Sequence, residues 1–206
     1  MSETKSIMAN PAPLGLLGFA ITTIMLNLHN AGIMSLNASI LALGIFYGGL
    51  AQVMVGAMEY KNGNSFGTLA FTSYGFFWIA LVGIWTLPKM GLGIVAATKA
   101  DMAWFLMLWG IFSAFLFIGT LKMNKATQFV FGSLTLLFML LALGDATGME
   151  EITKVAGVVG IICGLSAMYT GMAQVLNEVY GRTLMPLGVK KPVAAESKPK
   201  PVADKE

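Results

Sequence analysis

Charged residues are absent from five long stretches of this chain. None occurs between Lys5 and Glu59, and the other stretches are 62–88, 102–121, 126–144 and 155–177. A helix needs about 20 apolar residues to cross the hydrocarbon core of a bilayer. The first stretch has room for two crossings, separated by a polar break at 32–37, and each of the others has room for one. The pattern therefore predicts six membrane-spanning segments, at 13–32, 38–59, 66–87, 102–121, 126–144 and 153–177.

The composition decides which kind of membrane protein this is. Only 11% of the residues are charged, against about 25% in soluble domains. Lipid admits only helices and closed barrels, and a barrel needs alternating runs of about 10 residues. The stretches here are longer, and they are apolar at both odd and even positions instead of alternating, so we predict an all-α membrane protein. Cys163 lies alone inside an apolar segment, which predicts a small packing residue and excludes a disulfide framework.

Positive charges are unevenly distributed between the two sides of the predicted membrane domain. With the N-terminus inside, the inner segments hold 10 Lys and Arg residues and the outer segments hold 3. The positive-inside rule then predicts a multi-pass protein of the cell membrane with both termini in the cytoplasm. We divide the chain into a cytoplasmic N-terminal segment at 1–12, a six-helix transmembrane domain at 13–188 and a cytoplasmic tail at 189–206. The tail is rich in Lys and Pro, which predicts disorder, and no folded basic face suggests nucleic acid.

The odd-numbered segments share a local pattern that suggests an internal repeat. Their inner halves contain a small residue followed by a bulky one, at Gly18–Phe19, Ser73–Tyr74 and Ser133–Leu134. We interpret this as three parallel two-helix hairpins around a central pore. Three bulky side chains at one level would form an apolar constriction, which can gate or select in pores. The alternative is that they are ordinary core residues.

Glycines recur at the spacing that permits close helix packing. Gly44 and Gly48 are four residues apart, as are Gly160 and Gly164. Small residues at this interval let two helices approach closely in a membrane. Packing is a sufficient explanation for most of the glycines.

The entry to the first segment carries the most specific motif of the chain. It reads Asn-Pro-Ala-Pro-Leu-Gly-Leu-Leu-Gly-Phe from Asn10 to Phe19, where Asn10 can cap a helix and the prolines are tolerated in its first turn. This segment resembles the signature of the acetate uptake transporter family of succinate–acetate/proton symporters and fungal ammonia/acetate exporters. The resemblance extends over residues 8–188. Its signature residues here are Asn10, Pro11, Pro13 and Gly15.

The resemblance implies an hourglass path through each protomer and assembly into a homo-hexamer. By motif, the family's narrowest point falls on Phe19, Tyr74 and Leu134, the positions that the repeat also aligns. The family places a small residue of the sixth helix near the path, which is Ala167 here. The implied substrate is a small monocarboxylate, acetate, and also the dicarboxylate succinate, and no cofactor is implied.

A carboxylate needs hydrogen-bond donors or a proton to pass the apolar region, because a charge at mid-bilayer is costly. No Asp or Glu lies in the middle of a predicted span, so we hypothesise that the proton rides on the substrate. The alternative is a relay through Glu59 or His29. The polar or small side chains that we expect along the path are Thr22, Thr23, Asn27, Gln52, Thr72, Ser73, Thr135, Ala167 and Gln174.

Two other functional classes compete with carboxylate transport. A channel for small neutral polar solutes, such as urea or short amides, would share the six helices and a narrow filter. An enzyme is disfavoured because no paired carboxylates, His cluster or activated nucleophile stand at helical spacing. The single His29 has no second ligand nearby in sequence, so no metal site is expected.

Overall fold

The computed structural model describes residues 8–189 and is built there from six long apolar helices without strands. The predicted all-α membrane architecture is therefore confirmed. The ends of the chain, which include the first seven residues and the predicted tail from residue 190 onward, lie outside the described residues. The helices are α1 (Ala12–Asn30), α2 (Ala38–Lys61), α3 (Ser65–Thr86), α4 (Lys99–Thr120), α5 (Lys125–Thr147) and α6 (Glu150–Val179).

Side-chain caps explain where several helices begin. Asn37, Asn64 and Asn124 each accept a hydrogen bond from a backbone N–H in the first turn of the following helix. Thr98 and Asp101 form a reciprocal capping box. This box starts α4 three residues before the predicted span, because polar caps satisfy the free N–H groups of a first turn.

The second helix is not continuous. A π-helical segment, Phe46–Ala51, interrupts it, and the Gln52 amide donates 2.6 Å to the Gly48 carbonyl inside that segment. The extra residue of a π turn rotates the helix beyond it, so that Gly44 and Gly49 both face α3. Gly48 faces Thr22 of α1 instead. Gly44 and Gly48, although four residues apart, therefore contact two different helices.

Successive helices are neighbours in the bundle, with α3 and α4 meeting through side chains, and α6 returns to α1 to close the ring. The helix α6 approaches α1 through Gly157, Gly160 and Gly164, where a Cβ would overlap α1 atoms. In contrast, α3 and α4 meet through large aromatic side chains, such as Phe77 stacked on Phe105 with ring centroids 5.7 Å apart. The closest neighbours are α6 with α1, α2 with α3 and α4 with α5, so the predicted division into three hairpins is not confirmed.

The chain after α6 folds back against the start of α5. The carbonyls of Leu187 and Gly188 accept from the N–H groups of Ala126 and Lys125 at 3.1 Å each. Asn177 holds the same segment through three hydrogen bonds to the backbone of Leu184 and Met185. These contacts satisfy the first turn of α5 and fix its position beside α6.

Candidate functional site

A cavity of about 150 Å³ lies within the helix ring. Most of its wall comes from α1, α3 and α5, the three helices predicted to surround the path. It extends from the α2–α3 and α4–α5 turns, at Asn64 and Met123, to the ring formed by Phe19, Tyr74 and Leu134. The volume suits a molecule of a few heavy atoms rather than a drug-sized ligand.

Phe19, Tyr74 and Leu134 are brought together by the fold, although they are far apart in sequence. All three line the cavity and are buried, with 6%, 4% and 3% of their surface exposed. The rings of Phe19 and Tyr74 lie 6.3 Å apart between centroids. We call these three residues the constriction ring, and its role in selecting substrates stays a prediction.

The Tyr74 hydroxyl is bonded to another side chain and is not free to donate to a substrate. Its oxygen lies 2.8 Å from Ser113 Oγ on α4, and Ser113 donates to the Trp109 carbonyl at 2.8 Å. Because the Ser113 proton is committed to that carbonyl, Tyr74 donates to Ser113. A phenol can donate to a carboxylate, but the Tyr74 proton is bonded within the protein.

The entry motif is coupled to the cavity through one hydrogen bond. Asn10 accepts from the N–H of Ala12 at 3.1 Å, as a cap should, and its amide donates to Gln174 Oε1 at 2.9 Å. Gln174 lines the cavity. Gly15 lies where a Cβ would meet the Phe71 ring at 2.5 Å, so the absence of a side chain there lets a cavity-lining aromatic pack against α1. Pro13 is buried in the first turn.

Glu59 is the one acidic side chain on the cavity wall within the described residues. It is 3% exposed, and one of its oxygens accepts from the Asn64 amide at 2.8 Å. The other, Oε1, is buried and has no hydrogen-bond partner among the described residues. A buried polar atom of this kind calls for an explanation such as a bound water, a proton or a ligand.

The other proposed relay residue, His29, lies at the opposite end of α1 from the cavity. Its Nδ1 is 3.1 Å from the Met34 carbonyl, which accounts for the side chain as part of the α1–α2 loop. This local hydrogen bond explains the position of His29 without a role in proton transfer.

Of the nine polar or small side chains expected along the path, Gln52 and Gln174 line the cavity. Thr22 donates to Leu43 O at 3.4 Å, and Thr135 donates to Phe131 O at 2.8 Å, so both hydroxyls are bonded to backbone. Asn27 bridges Thr23 O and Asn30 beside Gly160. Four others are outside the wall of this cavity: Thr23, Thr72, Ser73 and Ala167.

Several cavity residues were not predicted from the sequence. Phe71 precedes Tyr74 by three residues, and Phe131 precedes Leu134 by three residues, so helical periodicity from the ring positions points to both. Ser113 had no such signal, because it acts through a side chain of another helix. The unpredicted wall residues are Ala12, Leu16, Asn64, Phe66, Gly67, Ala70, Phe71, Met123, Thr127, Val130 and Phe131.

Comparison with known proteins relates this arrangement to a family. The chain is 55% identical over 188 residues to the succinate-acetate/proton symporter SatP of Escherichia coli (strain K12), covering 91% of this chain and 98% of that protein. It is 34% identical over 197 residues to acetate permease A of Emericella nidulans, covering 87% of this chain and 65% of the permease.

A solved structure agrees with the sequence comparison. The bacterial acetate channel SatP superposes with a TM-score of 0.86 at 55% identity, covering 88% of this chain and 99% of that one. These relatives are transporters and a channel rather than enzymes, and the six apolar helices make this chain a multi-pass membrane protein. The sequence profile of the GPR1/FUN34/yaaH family matches residues 1–186, and the chain therefore belongs to that family.

Proposed function

We propose that the chain transports small carboxylates, with the monocarboxylate acetate as the main substrate and the dicarboxylate succinate as a second. The observation that carries this proposal is a cavity for a molecule of a few heavy atoms that ends on Phe19, Tyr74 and Leu134. The names of the relatives, a succinate-acetate/proton symporter and an acetate channel, support the same substrate class.

The constriction ring acts as the filter of this conduit. Its three side chains are apolar toward the cavity, since the Tyr74 hydroxyl is bonded to Ser113. An ionised carboxylate would lose its hydration there without gaining a donor, which is costly at this depth. A neutral acid molecule crosses such a ring at lower cost, so the ring favours small protonated acids.

The electrostatics of the cavity support transport of the protonated acid. Glu59 is buried on the cavity wall, and the wall formed by the described residues carries no Lys, Arg or His to pair with an ionised substrate. Of the two candidate relay residues, His29 is disfavoured because it lies near the other end of α1 from the cavity and its Nδ1 is bonded to Met34 O. The proton therefore travels on the substrate, whose carboxyl has a solution pKa of about 4.

We further place the protein in the cell membrane with both termini in the cytoplasm. The excess of Lys and Arg in the segments on that side supports this orientation. The cavity then opens toward the cytoplasm, because it reaches the α2–α3 and α4–α5 turns.

The assembly is a homo-hexamer with one path in each subunit. The family resemblance suggests the hexamer, and the enclosure of the cavity by helices of a single chain supports one path per subunit. Light scattering on the detergent-solubilised protein, corrected for bound detergent, measures the number of chains directly.

The decisive experiment is uptake of labelled acetate into proteoliposomes with and without an imposed proton gradient, with labelled urea as the parallel solute. We expect acetate uptake that increases when the outside is made acidic, and no urea uptake above that of empty liposomes. Urea flux that does not saturate and does not depend on the proton gradient, without acetate uptake, would instead identify a channel for neutral polar solutes.

A further inference from the structure

A short segment after α6, residues 184–188, completes the first turn of α5, and we call it the strap. Two strap carbonyls accept from the N–H groups of Lys125 and Ala126 at 3.1 Å each. The next N–H, that of Thr127, donates to the Asn124 side chain at 2.8 Å. The first N–H groups of a helix have no partner within the helix, so the strap and the Asn124 cap together satisfy this turn.

The strap is itself held by two side chains of α6. Asn177 donates to the Met185 carbonyl at 2.8 Å and accepts from the N–H groups of Leu184 and Met185 at 2.7 and 3.0 Å. The Tyr169 hydroxyl donates to the Pro186 carbonyl at 2.9 Å. Because these bonds fix the strap to α6, they also fix the start of α5 to α6.

The part of α5 that the strap holds forms one side of the cavity mouth. Met123 and Thr127, which flank the two strap-bonded residues, both line the cavity. Deeper in the helix, Val130 and Leu134 line the cavity too, and the Val130 carbonyl accepts from Cys163 Sγ of α6 at 3.6 Å. The deeper part of α5 is therefore bonded to α6 directly, whereas the mouth is bonded to α6 through the strap.

The same turn of α6 also holds the opposite side of the mouth. Gln174 accepts from the Asn10 amide at the start of α1, and Asn177 follows Gln174 by three residues, or about one turn. The two ends of the transmembrane domain are thus bonded to neighbouring positions of one helix. This arrangement keeps the α1 and α5 sides of the mouth at a fixed separation.

We propose that Asn177 is a positioning residue for transport, which acts through the strap to hold Met123 and Thr127 at the cavity mouth. The inference rests on the proposed transport function and deepens it. Asn177 is outside the cavity wall, so its effect reaches a substrate only through the strap and α5. Without the strap bonds the first turn of α5 frays, and the cavity binds an acid more weakly because its wall must be ordered during binding.

The first test is the kinetics of Asn177→Ala, which removes all three bonds between this side chain and the strap. The cost of ordering one side chain on binding corresponds to about fivefold in affinity. For acetate transport that starts on the strap side, we expect KM and kcat each to rise about fivefold, with kcat/KM unchanged. Weaker binding before the constriction ring lowers the barrier from the bound state, but not the barrier from free substrate.

Two kinds of membrane vesicle separate the sides of the protein. Inverted vesicles present the strap side, which we place in the cytoplasm, to the added acetate, and right-side-out vesicles present the other side. The change in KM should occur in inverted vesicles, and right-side-out vesicles should keep the wild-type KM. Equal changes in both would show that the effect is not confined to the mouth, which contradicts the proposal.

Two variants loosen the strap without altering Asn177. Tyr169→Phe removes only the hydroxyl bonded to Pro186, and its control is Tyr180→Phe, whose side chain is 60% exposed. Gly188→Ala places a methyl 2.7 Å from Lys125 Cβ. Its control is Gly91→Ala, which has the same kind of positive φ but no atom within 4 Å of the added methyl. Both strap variants should change KM and kcat as Asn177→Ala does, and both controls should behave as wild type.

The second test observes the strap without transport. Hydrogen exchange measured by mass spectrometry should show that the amides of Lys125 and Ala126, although far in sequence from residue 177, exchange faster in Asn177→Ala. Exchange at 130–134 should be unchanged, because this part of α5 does not depend on the strap. An unchanged rate at Lys125 and Ala126 would show that the strap bonds do not hold α5.

The two proposals fail in different ways. Wild-type protein that takes up no acetate would overturn the proposed function, and the exchange measurement would still report on the strap. Faster exchange at Lys125 and Ala126 in Asn177→Ala, together with wild-type KM and kcat, would overturn the positioning role. A lower kcat at an unchanged KM would also overturn it, because that result indicates only a smaller amount of folded protein.

Discussion

Tyr74 shows how a polar residue can serve as an apolar wall. Its hydroxyl donates to Ser113 on α4, and its ring packs near Phe112 and Trp109 at centroid distances of 5.6 and 6.1 Å. The helices α3 and α4 therefore hold the Tyr74 side chain in place, and of these two helices only α3 lines the cavity. Ser113, which is outside the cavity wall, can in this way fix the position of a side chain that lines the cavity.

Ser113→Ala should loosen the constriction ring without adding space to it. Tyr74 loses its acceptor, so we expect a lower selectivity for acetate over larger monocarboxylates, by about tenfold at most because one buried hydrogen bond is lost. Competition by propionate and lactate against labelled acetate measures this. Tyr74→Phe should have the same effect, and the double variant should add little to either; full additivity of the two single variants would show that the contact is not what matters.

Leu134→Ala should widen the ring directly. Leu134 is 3% exposed and lines the cavity together with Phe19 and Tyr74, so its truncation opens space at the predicted constriction. We expect uptake of larger acids, such as lactate, to rise relative to acetate. Leu137→Ala is a control for general loosening of α5, because Leu137 is equally buried but outside the cavity wall; unchanged selectivity in Leu134→Ala would contradict the filter.

The variant that carries both Glu59→Gln and His29→Gln should keep acid-stimulated uptake. If the proton travels on the substrate, uptake follows the fraction of protonated acid and not the charge of either side chain. Uptake measured between pH 5 and 8, about the range over which a His charge changes, should rise toward low pH in wild type and variant. Transport at a normal rate with no pH dependence would establish the relay instead.

At the scale of the helices, side-chain size decides which pairs meet closely. The helix α2 touches α3 at Gly49 and Gly75, where a Cβ at Gly75 would stand 2.8 Å from the Gly49 carbonyl oxygen. The helices α3 and α4 are held farther apart by Phe77, Phe105 and Trp109. This difference between glycine contacts and aromatic contacts makes the distances between neighbouring helices unequal.

Gly75→Ala should destabilise the fold, whereas Gly83→Ala on the same helix should not. The added methyl at Gly75 meets backbone atoms of α2 that cannot rotate away, and overpacking of this kind costs about 1–3 kcal/mol. At Gly83 the nearest atom is Leu87 Cδ1, at 3.8 Å. Thermal unfolding in detergent measures both, with a lower Tm expected for Gly75→Ala alone; equal Tm values would show that α2 and α3 have room to separate.

At the scale of the whole molecule, the orientation in the membrane can be tested with single cysteines. Cys163 is buried, so Cys163→Ala is a suitable parent. We expect Val95→Cys, in a loop where the native residue is 89% exposed, to react with an impermeant maleimide in intact cells. Asn62→Cys, in the α2–α3 turn, should react only after permeabilisation. The reversed pattern would place the termini outside.

Individual residues show how far sequence reasoning extends into this site. Phe19, Tyr74 and Leu134 were found because they recur at one position of a repeated pattern, and the fold does bring them to one cavity. Thr22 and Thr135 were expected on the path, but their hydroxyls bond to backbone carbonyls. A hydroxyl in a sequence does not reveal whether its own or a neighbouring helix already satisfies it.

The sequence by itself determined that this chain spans a membrane six times. The apolar length of a segment and its lack of charge are local properties, and every bilayer requires them of a spanning helix. It also determined the family, since the motif from Asn10 to Phe19 is a contiguous string. Only the tertiary structure decided which helices are neighbours, that Gly44 and Gly48 face different helices, and that Tyr74 is held by Ser113. These features depend on how helices rotate against one another, and a one-turn irregularity such as the π segment changes that rotation without a signal in the hydrophobic pattern.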